Sequence, residues 1–142
     1  MRKTQTYLFL LTCLTTGWIA AQNLASSAPE NAGVYFIEPA DGAEVTSTFT
    51  IKFGLRGMGV APAGVNVENT GHHHLLVDLE GDLDMMQPLP ASDQVRHFGK
   101  GQTETQITLP AGEHQLRLVL GNYLHIPHVP PVMSTVITVK VK

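Results

Sequence analysis

The chain has 142 residues, nine Lys and Arg against twelve Asp and Glu, and a formal net charge of −3, with no basic run of the kind that tracks a phosphate backbone. Its only Cys is Cys13, which lies in an N-terminal segment with the character of an export signal, so disulfides and thiolate metal ligands are excluded from the rest of the chain. Nucleic-acid binding and cysteine-based zinc sites are set aside on those grounds.

Met1-Arg2-Lys3 gives a positive start, Tyr7 to Ala21 is a nearly uncharged apolar run, and Ala20-Ala21 precedes the polar stretch QNLASSAPENAG. That layout predicts a signal peptide over residues 1–21, too short for a stable membrane span, and hence a periplasmic or secreted protein with no transmembrane segment in its mature chain. Acylation at Cys13 fits less well, because Thr12 stands where a smaller residue is wanted. Residues 22–142 keep seven Lys and Arg against twelve Asp and Glu, a net charge of −5. Residues 22–32, rich in Ser, Ala and Asn, read as a flexible tether, and residues 33–142 as a single domain large enough to bury a core.

The domain reads as β throughout. VYFIEP (34–39) is a short apolar run closed by Pro39, and Asp41-Gly42 centres a tight turn. TFTIKFGLR alternates, with Phe49, Ile51, Phe53 and Leu55 on one face. Residues 57–71 are loop-like, and GHHHLLVD (71–78) opens the next strand, 72–79. Its parity places Leu75, Val77 and Leu79 with His73 on the core face, and His72, His74 and Asp78 on the other. Residues 80–101 form a long connection with room for one edge strand. QTETQITL alternates, PAG (110–112) turns, and EHQLRLVLG points Leu116, Leu118 and Leu120 inward. NYLHIPHVPPV (122–132) is too rich in proline for a helix, and STVITVKV closes the chain with Ile137, Val139 and Val141 on one side. Six or seven short strands predict an all-β, antiparallel, two-sheet, immunoglobulin-like sandwich, with a small β-barrel as the alternative.

Following such a sandwich up and down brings His72, His73, His74, His97, His125 and His128 to one end and leaves His114 at the other. Neutral imidazoles from separate segments suit copper, zinc or nickel, so these six are the candidate metal ligands, with Met85, Met86 and Met133 as soft donors for Cu(I). The competing reading makes the histidines structural: His73 caps the core, and His125 and His128 brace their loop. No nucleophile pattern, phosphate loop or calcium loop is present; Asp82, Asp84 and Asp93 read as a solvated acidic loop, and Glu104 as a surface residue or a partner of His97.

GHHHLLVD, HFGKGQTE and LPAGEHQLRLVLGNYLHIPHVPPVMS, in that order, resemble the bacterial exported family named Domain of Unknown Function 4399, over roughly residues 33–141. The resemblance implies a secreted or periplasmic all-β domain and no particular reaction. Two functions follow as expectations. The first is an exported, non-catalytic binding domain whose His-rich end coordinates copper or zinc. The second is a structural or protein-interaction module of the cell envelope, partnered by an envelope protein. A metal-dependent enzyme with one open coordination position ranks behind both.

Overall fold

A computed structural model describes residues 24–142; the segment read as a signal peptide lies outside the described residues. Nine strands follow in chain order: β1 Gly33–Glu38, β2 Ala43–Val45, β3 Thr48–Arg56, β4 Gly59–Val60, β5 Thr70–Val77, β6 Val95–His97, β7 Glu104–Thr108, β8 Gly112–Gly121 and β9 Ile137–Val141. They form a three-stranded sheet, β1-β3-β7, and a larger sheet, β2-β9-β8-β5-β4, with β6 also paired to β5. The all-β two-sheet sandwich read from the sequence is the fold observed. Among the described residues no helix is long and apolar enough to cross a membrane.

The main core lies between the sheets and follows the alternation of the sequence. Phe49, Ile51 and Phe53 of β3 meet Leu75 and Val77 of β5, Leu116, Leu118 and Leu120 of β8, and Ile137, Val139 and Val141 of β9. Most strand pairs are antiparallel, but two are parallel: β2 with β9, and β4 with β5. These short strands lack a sequence period of their own and are fixed by their partners. Thr138 N–H donates to Asp41 Oδ1 at 2.8 Å and Gly42 N–H to Thr138 O at 2.8 Å, which sets the turn in front of β2 against β9.

The outer face of the larger sheet is also covered. Leu76 of β5, Val119 of β8 and Val95 of β6 cluster with Leu89, and Leu79, Leu83 and Met133 pack around them. Strand β5 is therefore buried on both faces along nearly its whole length, its three histidines included. One expectation of parity fails here. Asp78 takes a left-handed conformation, φ 47°, which ends the strand's alternation, so Leu79 joins Leu76 on the outer face instead of His73 on the inner one. Residues 24–32, part of the stretch read as a tether, lie along the domain: Ala28 and Ala32 pack on the core, and Ser27 bridges Val129.

Candidate metal centre

His72 and His74 are two residues apart on β5, so their side chains share one face of the sheet, the outer one. His97 of β6 is directly opposite His74 in an antiparallel pair, which brings its ring to the same face. On the other side of β5, His72 pairs with Gly121, the last residue of β8, and the loop that follows carries His125 over the strand ends. Three segments distant in sequence thus deliver four imidazoles to one place.

The four rings face one another. Centroid separations are 4.8 Å for His72–His74, 4.9 Å for His72–His97, 5.0 Å for His72–His125 and 4.6 Å for His97–His125. His74 lies 5.2 Å from His97 and 6.0 Å from His125. Nitrogens of His72, His74 and His97 are all within 4.8 Å of each other. His72 and His74 are fully buried, whereas His97 is open to solvent, so the cluster is a closed floor with an accessible rim. Among the described residues no carboxylate joins this group.

Burial and mutual repulsion both oppose protonation. The His72 ring is lowered to about 4, first by burial and then by the neighbouring imidazoles, chiefly His97 and His125. His74 is lowered to about 3, again by burial first, then by His72, His97 and His125. His97 is lowered by burial and by His125. Both nitrogens of His72 and Nδ1 of His74 are buried without a hydrogen-bond partner. A buried polar atom left unpaired costs about 1–3 kcal/mol, and a bound cation is one way to satisfy it.

Small residues make the space. A Cβ on Gly99 would fall 2.2 Å from Cε1 of His97, and a Cβ on Gly121 would fall 2.7 Å from Cε1 of His74. Neither glycine has a positive φ, so here the requirement is room, not backbone freedom. Gly121 answers to a ring brought in by the fold, that of His74, whereas Gly99 answers to the ring of His97, its neighbour two residues back.

Two of the six candidate ligands stand apart. His73 points to the opposite face, into the inter-sheet core, where its ring is 5.0 Å from that of Phe53 and both nitrogens lack a hydrogen bond. Its pKa is lowered to about 4 by burial, against the opposing effect of the Gln102 backbone, which lies near the ring without forming a well-shaped hydrogen bond. Nothing in the structure explains an imidazole at position 73 in place of an apolar side chain. His128 is turned under its loop, with Nδ1 3.3 Å from Leu120 O and Nε2 3.1 Å from Thr70 O, so both nitrogens are engaged by backbone. Both lie outside the cluster, and of the two only His128 makes the backbone bonds expected of a structural histidine. Met133 and Met85 line an apolar cleft with Leu76 and Leu79, away from the four rings, and Met86 is exposed. Glu104 sits in the other sheet, across from Lys52, and is not a partner of His97.

His114 is at the far end, as the up-and-down path requires. Its Nδ1–H donates to Asp78 Oδ2 at 2.6 Å and its Nε2 faces Pro110 O at 2.9 Å, while Asp78 Oδ1 accepts from Gln115 N–H at 2.7 Å. The Asp78 carboxylate raises the His114 pKa. This pair ties the start of β8 to the end of β5.

Comparison with known proteins gives a family. No curated protein matches the chain. Among solved structures, an endo-beta-1,4-mannanase from Thermotoga petrophila aligns with a TM-score of 0.46 and 21% identity, covering 78% of this chain and 20% of that one. This chain therefore spans about one fifth of that enzyme's length. The family profile described as Domain of unknown function (DUF4399) matches residues 51–142, a stretch that includes all four clustered histidines and both supporting glycines. That stretch is well over half of the sequence, and the chain belongs to the DUF4399 family.

Proposed function

We propose that this protein is an exported, non-catalytic binding domain that holds one transition-metal ion, zinc or copper, on His72, His74, His97 and His125. The observation that carries the reading is the convergence of four imidazoles from β5, β6 and the loop after β8, with ring centroids 4.6–6.0 Å apart. Imidazole is a good ligand for both metals only when neutral, and burial holds His72 and His74 in that state. A tetrahedral site with metal–nitrogen bonds of about 2.0–2.1 Å sets its donors roughly 3.3 Å apart. Nitrogens now within 4.8 Å reach that spacing through ring rotations of an ångström or so each. The basic start and apolar run of residues 1–21 support export.

Calorimetric titration of the metal-free full-length chain with Zn²⁺ and with Cu²⁺ tests the reading. Binding should be lost in His74→Ala, weakened but still measurable in His125→Ala, where His72, His74 and His97 remain, and kept in His128→Ala. Absence of heat with either metal at tens of micromolar protein sinks it and leaves the envelope interaction module, in which the same substitutions alter stability alone.

A further inference from the structure

Asn122 follows the last residue of β8 and is 1% exposed, and every hydrogen-bonding position of its side chain is used. Oδ1 accepts the N–H groups of Leu124 at 2.9 Å and Ile126 at 3.1 Å; Nδ2 donates to Leu24 O at 2.9 Å and to Ser26 Oγ at 3.1 Å. The backbone closes the same turn, with His125 N–H donating to Asn122 O and Asn122 N–H to Ile126 O, both at 2.9 Å. Inside this ring of bonds His125 has φ 67°, a conformation that side-chain-bearing residues adopt only when their surroundings impose it.

The amide fits where no close relative would. It must accept on one side and donate on the other, which asparagine does and aspartate does not. Its donor side meets the segment Leu24–Ala28, which is itself held: Val129 N–H donates to Ser26 O and Ala28 N–H to Val129 O, both at 2.9 Å. The chain just after the expected export signal is thus bonded, through one side chain, to the turn that presents a histidine of the cluster.

We propose that Asn122 is a positioning residue that sets His125 as the fourth ligand of the metal centre, and that the segment Leu24–Ala28 is the clamp that fixes the Asn122 amide. The proposal rests on the metal-binding reading and adds that the fourth ligand is under the control of the N-terminal arm.

The test uses Zn²⁺ affinity, measured by chelator competition on the full-length chain, together with the visible spectrum of the Co²⁺ form. Asn122→Ala should weaken Zn²⁺ binding by about 10- to 100-fold, the usual effect of removing a residue that orients a ligand, and should reduce the intense Co²⁺ bands of a four-coordinate site. Ser26→Ala removes one of the two acceptors of the amide and should cost roughly two- to tenfold. In a His125→Ala background both effects should vanish, because the residue they position is gone. A merely structural role lowers stability equally in both backgrounds and leaves the Co²⁺ spectrum of the wild-type background unchanged; that result overturns the proposal. If Asn122→Ala does not fold, Ser26→Ala in the two backgrounds decides alone. A wild-type chain that binds none of Zn²⁺, Co²⁺ and Cu²⁺ refutes the metal reading itself, whereas intact wild-type binding with additive variants refutes only the role of Asn122.

Discussion

His73→Leu should stabilise the metal-free protein, and more so in acid. The His73 ring is fully buried against Phe53, in contact with the Phe53–Phe98 pair whose centroids are 4.9 Å apart, and neither nitrogen has a partner. Leucine is close in volume and carries no polar atom, so at neutral pH the substitution should relieve about 1–3 kcal/mol of unpaired desolvation, less up to about 1 kcal/mol for the change of shape. The pH dependence follows from the direction of the shift. The folded-state pKa is about 4 and the ordinary imidazole value is 6.5, so the unfolded chain binds more protons between these values. The stability this group contributes is complete above pH 6.5 and is lost as pH falls toward 4. Integrating between about pH 7.5 and pH 5 gives a loss of about 2 kcal/mol for the wild type that the leucine variant does not suffer. Urea denaturation followed by circular dichroism, in a chelating buffer at the two pH values, reads both quantities. A stability difference between variant and wild type that stays the same at pH 5 and pH 7.5 refutes the argument. So would a variant that loses Zn²⁺ binding, since His73 lies on the face opposite the cluster.

The remaining predictions concern the two ends of the sandwich. Because burial keeps His72 and His74 neutral to about 4 and about 3, Zn²⁺ should still be bound at about pH 5.5, where exposed imidazoles are largely protonated; release complete by pH 6 in a dialysis experiment contradicts this. Gly99→Ala should push the His97 ring from its place and weaken Zn²⁺ by about tenfold or more, with little change in metal-free melting temperature, as read by competition titration and calorimetric scans. His114→Ala should cost about 1 kcal/mol, with the half-exposed carboxylate of Asp78 keeping the figure small, and should leave metal affinity unchanged. Since the His114 pKa is raised, its contribution is full below 6.5 and is lost as pH rises through the folded value; a destabilisation greater at pH 8.5 than at pH 6 would contradict that sign.

Strands that bury one face were legible. Phe49, Ile51 and Phe53, then Leu116, Leu118 and Leu120, then Ile137, Val139 and Val141 alternate in the sequence and line the core in the structure. The gathering of histidines at one end was legible too, because it needs only strand direction, and directions follow from loop lengths. What could not be read were features decided by distant partners. Strands β2 and β4 exist through parallel pairing with β9 and β5, and no period within three or two residues announces them. Leu79 changed faces because Asp78 is left-handed, which no rule of alternation foresees. Gly121 is a clearance for a ring from another strand, that of His74, and Gly99 for the ring of His97 two residues before it, folded back by the turn after β6. Asn122 left a faint signal, an asparagine opening a loop, since such residues often bond their own backbone two residues on, as Oδ1 does with Leu124.

The seven histidines finally separate by what surrounds them, not by their place in a tripeptide. His114 has a carboxylate on one nitrogen and a carbonyl on the other, two acceptors that favour a ring protonated at both positions and make it a clamp. His72, His74 and His97 have other imidazoles as neighbours; the His72 backbone beside His74 favours a second proton there but is outweighed by burial, and each ring is shifted toward the neutral form. A neutral imidazole keeps a lone pair on one nitrogen. At the end where these three rings face one another and His125, no protein donor among the described residues takes the lone pairs of His72. Placing two of them, His72 and His74, on the outer face of β5 leaves the residue between them, His73, in the core by the two-residue period of a strand. The triplet therefore holds two residues suited to coordination and one that weakens the fold, and it is the alternation of the strand that tells them apart.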